Sequence, residues 1–418
     1  MSTQTIDQPF VSSTALRSVN FFNGRLLTGD DLRREQTTRE ARLQRLGRIA
    51  GSGVAEGFEV VETLGTSSKG RPVVTVAAGL ALNRAGVALE LPVEVDVALY
   101  RENPPSDAEP GGLFADCQPF AAGTYTAGAG VYLLTVGPAE RGEGRAPVNG
   151  LGNEAAPCNV ALSAEALRFR LIRLALEHAE LVDKAHLRNR IAYACFGMDE
   201  LAGAVRNPFG PPLTTYGLLD TLRTQTLTDD EVPLAMIGWS IDDGIQFVDL
   251  WSVRRSITPL PGEGRWSSLV AARRRAEGEA MFLQFQAQLA DVRDEGSTGF
   301  LKATERFKHL PPAGLLPLAG SLSPGFDEGA FFDSITTTDP VYVEGAKLDA
   351  LVLESLSFPP ISLASEEAVR LYLVRENEQA PTANQRCVVF ANGHLPYRGD
   401  AQFDLAYWDY ANFAQDYC

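Results

Sequence analysis

The chain has 418 residues, 45% of them hydrophobic, enough to bury a substantial core and long enough for two or three domains. Its 53 acidic and 37 basic residues give a formal net charge of -16, which argues against sequence-independent binding to nucleic acid or an anionic membrane, since both need a basic face. The five cysteines are widely spaced with no Cys-x-x-Cys pair, so neither a disulfide framework nor a zinc knuckle is expected.

The opening Met1-Ser2-Thr3-Gln4 lacks a basic region followed by an apolar one, and no apolar run is long enough to span a bilayer. The expectation is a chain folded in the cytoplasm, with no membrane span, that reaches the exterior only by lysis or a dedicated route. An extended segment, Phe21-Phe22-Asn23-Gly24-Arg25-Leu26-Leu27, leads into Thr28-Gly29-Asp30-Asp31. Thr28 suits an N-cap and Asp31 stands three residues on, close to a capping box, so a helix is predicted to about Arg48. Its apolar residues are sparse, Leu32, Leu43, Leu46 and Ile49, among Arg33, Arg34, Glu35, Arg39, Glu40, Arg42, Arg45 and Arg48. A helix this polar either packs on one narrow stripe or is completed by a neighbouring chain. Phe21, Phe22, Arg25, Leu32, Leu43 and Leu46 are therefore the candidate interface residues.

After Gly51-Ser52-Gly53, strands are predicted at Val54 to Val61 and Val73 to Val76 around a turn at Ser67-Ser68-Lys69-Gly70. Leu80 to Leu82 and Val87 to Leu91 follow around a turn at Asn83 to Gly86, giving a small antiparallel β domain. From about Arg101 to Cys158 one strand is expected, Val131 to Val136, and Pro138 to Pro157 reads as a long loop ordered by a partner or disordered. Leu167 to Leu174 suits a strand and Val182 to Phe196 a helix. Glu231 to Trp239 and Ile245 to Trp251, split by Asp242-Asp243-Gly244, form a predicted β-hairpin. Ser267 to Val292 is a second long helix, with Arg273-Arg274-Arg275 assigned to its solvated face. Pro311 to Pro317 is read as a rigid extended connector. Beyond it, strand candidates at Leu348 to Leu353, Arg370 to Val374 and Cys387 to Phe390 suggest a β-sandwich-like C-terminal domain. The fold class is α+β and multidomain: a docking helix and β domain over 1–106, a mixed central region over 107–310, and a β-rich domain over 311–418.

Motifs for chemistry are sparse. His178, His186, His309 and His394 form no His-Glu-x-x-His or His-x-His pair, and neither a phosphate-binding loop nor a Gly-x-Ser-x-Gly elbow occurs. Acidic pairs at Asp30-Asp31, Asp229-Asp230 and Asp242-Asp243 are explained by capping and turns. No catalytic residue, metal or cofactor is expected. Tyr397, Tyr407, Trp408 and Tyr410 belong to an aromatic C-terminal tail that either staples across its own domain or stacks on a sugar or a partner's groove.

Three stretches carry a resemblance. They are Phe22-Asn23-Gly24-Arg25-Leu26-Leu27 with Asp30-Asp31-Leu32 and Glu35-Gln36, then Gly53-Val54 with Gly57-Phe58, and Val74-Thr75-Val76 with Gly79-Leu80-Ala81-Leu82 and Gly86. Together they resemble segments in structural proteins of contractile phage tails and phage-tail-like injection systems. Asp230 to Ala235, Phe247 to Arg255 and Leu310 to Pro317 are similar to proteins from the same setting. The resemblance implies a non-catalytic particle component at the baseplate or tail periphery, partnered by other subunits, homo-oligomeric within the particle, and released with it. The alternative is a receptor- or carbohydrate-binding fibre module that uses the C-terminal aromatics.

Overall fold

The computed structural model describes residues 16–66, 72–99, 130–145, 160–176, 181, 183–197, 217–240, 244–259, 272–296, 298–319, 325–365, 368–376 and 386–391. The fold is α+β and multidomain, and its apolar interior divides into separate clusters. Helix α1, Gly29–Ala50, starts with the predicted capping box. Six short strands follow: β1 Gly53–Gly57, β2 Val60–Thr66, β3 Pro72–Val76, β4 Gly79–Leu82, β5 Ala88–Leu91 and β6 Val95–Ala98. They form two antiparallel sheets, ordered β1-β4-β5 and β2-β3-β6. The predicted Ser67–Gly70 turn lies outside the described residues.

The central sheet has the order β10-β9-β7-β8, built from β7 Gly130–Arg145, β8 Val160–Arg173, β9 Val232–Ser240 and β10 Gly244–Asp249. Alternate residues of β7 serve opposite faces, as the two-residue period of a strand requires. Tyr132, Leu134 and Val136 join Val54, Phe58, Val74, Val76 and Leu89 of the N-terminal sheets in one core. Val131 and Leu133 face the other way, onto helix α2, Lys184–Phe196, and helix α3, Gly217–Arg223. Because both faces of the sheet are covered, β9 is buried almost throughout, which accounts for its continuous apolar run. The core therefore takes residues from both the 1–106 and the 107–310 segments.

The long loop expected over Pro138 to Pro157 is overturned in its first part, since residues 138–145 continue β7 and pair with β8 as far as Arg145↔Val160. Glycine at 137, 142 and 144 and a proline at 138 hid this strand from any periodicity test. Pro138 is tolerated because β9 stops pairing at Val136, so only one neighbouring ladder remains there. Residues 138–145 thus form a two-stranded ribbon with 160–167 beyond the edge of the sheet.

Helix α4, Ala272–Asp294, connects two parts of the chain. Its Ala280 and Met281 pack on Ala192, Tyr193 and Phe196 of α2. Its Phe285, Leu289 and Val292 enter the C-terminal core with Phe307, Leu316 and Phe390. That region holds a two-stranded pair, β11 His309–Leu310 with β14 Ile361–Ser362. It also holds a four-stranded sheet ordered β12-β16-β15-β13, from β12 Ala313–Leu318, β13 Val341–Val343, β15 Leu371–Val374 and β16 Arg386–Ala391. Val388 and Phe390 face α4, whereas Val389 and Ala391 face Leu351 of helix α5, Leu348–Ser355. Helices on both faces of one sheet replace the expected sandwich of two facing sheets. The predicted strand at Leu348 to Leu353 is α5: it has a single β-branched residue, and burying Leu351 while exposing Leu353 suits a helix face. In place of the rigid connector predicted over Pro311 to Pro317, the chain from Ala313 is edge strand β12, paired with β16.

Candidate interaction surface

The segment before α1 is held against it by a few polar contacts. A turn at Phe22–Arg25 uses Gly24 at φ +87°, and the Arg25 N–H donates to the Phe22 carbonyl at 3.2 Å. Arg25 then donates to Asp31 Oδ1 at 2.7 Å and to the Asn20 carbonyl at 2.8 Å, and its guanidinium lies 6.0 Å from the centre of the Phe22 ring. Further along, the Val19 N–H donates to Glu35 Oε2 at 3.3 Å and the Thr38 hydroxyl to the Arg17 carbonyl at 2.9 Å. Chain 17–25 therefore runs back along one side of α1. The other end of the helix is seated by a backbone contact, Gly47 against Gly86 in the β4–β5 turn.

This arrangement leaves large apolar side chains uncovered among the charged ones. Phe21 is 54% exposed, Phe22 62%, Leu26 87%, Leu27 45%, Leu32 53%, Leu43 66%, Leu46 64% and Ile49 75%. Within α1 only Thr38 is buried. Of the predicted interface residues, the five apolar ones are exposed, and Arg25 is engaged with Phe22 and Asp31. Leu26, Leu27 and Ile49 are exposed as well. Tyr397, Tyr407, Trp408 and Tyr410 lie outside the described residues.

Asp31 gives this segment a pH dependence. The Thr28 backbone N–H first, then the Thr28 hydroxyl and the Arg25 charge, hold its carboxyl below the ordinary value of 3.8. A depressed carboxylate contributes helix-start stability that is present above the unfolded value and lost as the pH falls through the folded one. The expected NMR titration midpoint of Asp31 is therefore below 3.8, with hydrogen exchange in the first turn of α1 accelerating over that window. A midpoint at or above 3.8 would contradict the cap geometry.

A second polar cluster lies where the N-terminal β region meets α3 and α4. A cavity of about 130 Å³ is lined by Arg84, Arg223, Arg255 and Arg273 with Asp220 and Glu277, among others. Arg273 donates to Glu277 Oε1 at 2.8 Å and Asp220 Oδ2 at 3.0 Å, while Asp229 lies 3.7 Å from Arg84 and 3.6 Å from Arg223. Burial, with Arg84 nearby, pushes Arg223 down to about 10, and burial raises Glu277. Arg255 donates to the Trp251, Ser252 and Arg254 carbonyls and lies 5.0 Å from the Phe196 ring. The assignment of Arg273 to a solvated face is thus corrected: it is a partly buried ion-pair residue, while Arg275 is exposed. Cys195 borders the cavity, but burial pushes its thiol up to about 12, so it is not a thiolate at neutral pH. The cluster joins three elements by ion pairs.

Among the described residues, no group of three or more His, Cys, Asp or Glu side chains is placed to hold a metal ion. His186 places Nδ1 2.8 Å from Asp183 and Nε2 2.9 Å from the Thr304 carbonyl, and His309 stacks on Tyr193 with ring centres 4.9 Å apart. Among the described residues, no helix is long and apolar enough to cross a membrane. Fold and surface together describe an α+β protein in which, among the described residues, eight exposed large apolar side chains fall on α1 and the segment leading into it. The chain matches no protein-family model and no curated protein.

Proposed function

We propose that this chain is a non-catalytic structural subunit of a contractile phage-tail-like injection particle, seated at the baseplate or tail periphery. It docks through Phe21 to Leu27 and the exposed face of α1. The observation that carries this reading is the set of eight exposed large apolar side chains on the 17–50 segment, whose Val19–Glu35, Arg25–Asp31 and Thr38–Arg17 hydrogen bonds are internal to it and which meets the β region at the Gly47–Gly86 contact. Several large apolar side chains exposed on one short segment favour a site that is covered in an assembly. The resemblance of residues 22–36, 53–60 and 74–86 to tail proteins supplies the kind of assembly.

Deleting residues 1–50 is expected to leave a protein that is expressed, stays in solution and unfolds cooperatively, because among the described residues of that segment only Val19 and Thr38 are buried along with the glycine contact. When co-expressed with the remaining subunits of the assembly it should be missing from purified particles. Full-length Leu43→Glu/Leu46→Glu should behave the same way. Normal incorporation of either variant would remove the proposal.

A further inference from the structure

We propose that the partner of α1 is the α1 of a second copy, packed antiparallel; this rests on the docking role assigned above and names its partner. The exposed residues Leu32, Gln36, Arg39, Leu43, Leu46 and Ala50 follow one another at intervals of four, three, four, three and four, the spacing of a two-position coiled-coil seam. Leu32, Arg39 and Leu46 occupy one core position of the repeat, and Gln36, Leu43 and Ala50 the other. In an antiparallel pair the two core positions face each other, so Leu32 meets Leu43 of the second copy and Gln36 meets Arg39. In a parallel pair each position meets itself, and Arg39 is driven against Arg39.

The flanking charges select the same orientation. Antiparallel helices bring like flanks together, so Arg33 meets Glu40 of the second copy, twice by symmetry. Both are exposed, and among the described residues Arg33 has only the weak 3.4 Å contact with exposed Asp30. On the other flank Glu35 meets Arg42, although the Glu35 carboxylate is already shared with the Val19 N–H and with Arg39 at 3.7 Å. The parallel arrangement instead sets Glu35 against Glu40. Opposed helix dipoles add to the antiparallel preference. With few leucine layers the isolated pair is weak, and many copies held in one particle raise its effective concentration.

The test is sedimentation of the full-length protein over a wide concentration range, with charge-swapped variants. Wild type is expected to dimerise. Arg33→Glu and Glu40→Arg should each weaken dimerisation by roughly tenfold, since two attractive pairs become repulsive. An equimolar mixture of the two should recover a heterodimer, because both flanking pairs are again opposite in charge. A dimer strengthened by Glu40→Arg, with Arg33→Glu neutral, would establish the parallel pair and overturn the proposal. A protein monomeric throughout, or one that binds vesicles of anionic phospholipid through Arg42, Arg45 and Arg48 without self-associating, would overturn it too. If dimerisation fails while the 1–50 deletion still blocks incorporation, the docking role stands with a different subunit as partner. If dimerisation holds while the deletion incorporates normally, the docking role fails and the self-contact survives.

Discussion

Asp249→Ala is expected to lower the free energy of unfolding by about 3–5 kcal/mol, the range for breaking a buried ion pair by removing one partner. Asp249 is 1% exposed at the end of β10. Its Oδ2 accepts from Arg188 Nε of α2 at 2.7 Å and from Gln284 Nε2 of α4 at 2.9 Å, and its Oδ1 accepts from the Ser252 N–H at 2.9 Å. Arg188 is itself buried. Burial alone would pull its guanidinium down, but Asp249 and then Asp291 outweigh that and hold it above its ordinary value. Without Asp249 the arginine keeps, among the described residues, Asp291, which is 59% exposed, and the Ser252 N–H loses its acceptor in a buried site. Against a typical total of about 5–15 kcal/mol, such a loss leaves a marginal protein. Urea unfolding followed by fluorescence measures it. The Lys302–Asp333 pair, in which each side chain is 46% exposed, supplies the contrast: Asp333→Ala should leave the midpoint unchanged within error. Equal effects from the two substitutions would refute the assignment of Asp249 as the tie between β10, α2 and α4.

Asp249 also marks the limit of what the sequence made legible. The capping box at Thr28 and Asp31 was readable because both partners lie within four residues, and local chemistry decides a helix start. The β9–β10 hairpin followed from apolar patterning in the same way, whereas patterning left open whether Leu32, Leu43 and Leu46 pack on the body, and the structure leaves them exposed. Asp249, by contrast, looked like the ordinary tail of a hairpin. Its side-chain partners Arg188 and Gln284 lie 61 and 35 residues away, and no spacing rule reaches them. The arginine and carboxylate cluster was hidden for the same reason, with Arg84, Asp220 and Arg273 drawn from three distant elements. The second half of β7 was missed because its glycines and proline carry no alternating side chains, and its strand character comes from pairing with β8. Local signals thus located the helix and its sparse apolar residues, while the contacts that hold the body together had to come from the fold.

Gly47→Ala should loosen α1 from the body, by about 1–3 kcal/mol, the usual penalty for an overpacked contact. A Cβ built on Gly47 lies 2.2 Å from the Gly86 carbonyl oxygen and 2.8 Å from two further backbone atoms of that residue. No rotamer relieves a clash with backbone, so the last turns of the helix must lift from the β4–β5 turn. Alanine is the better helix former by about 1 kcal/mol, which opposes the effect without cancelling it. Gly86→Ala meets the same contact from the other side, with its Cβ 2.0 Å from the Gln44 carbonyl at a φ of +86°. The two substitutions break one contact, so the double variant should cost far less than their sum. Gly29→Ala is the control, since no atom lies within 4 Å of its Cβ. The readout is hydrogen exchange in α1 with thermal unfolding of the body: exchange accelerates in Gly47→Ala and Gly86→Ala and not in Gly29→Ala. If docking depends on how α1 is aimed, both contact variants also enter particles poorly, although every exposed leucine is intact. Unchanged exchange in Gly47→Ala would mean that the helix is seated by something other than this glycine pair.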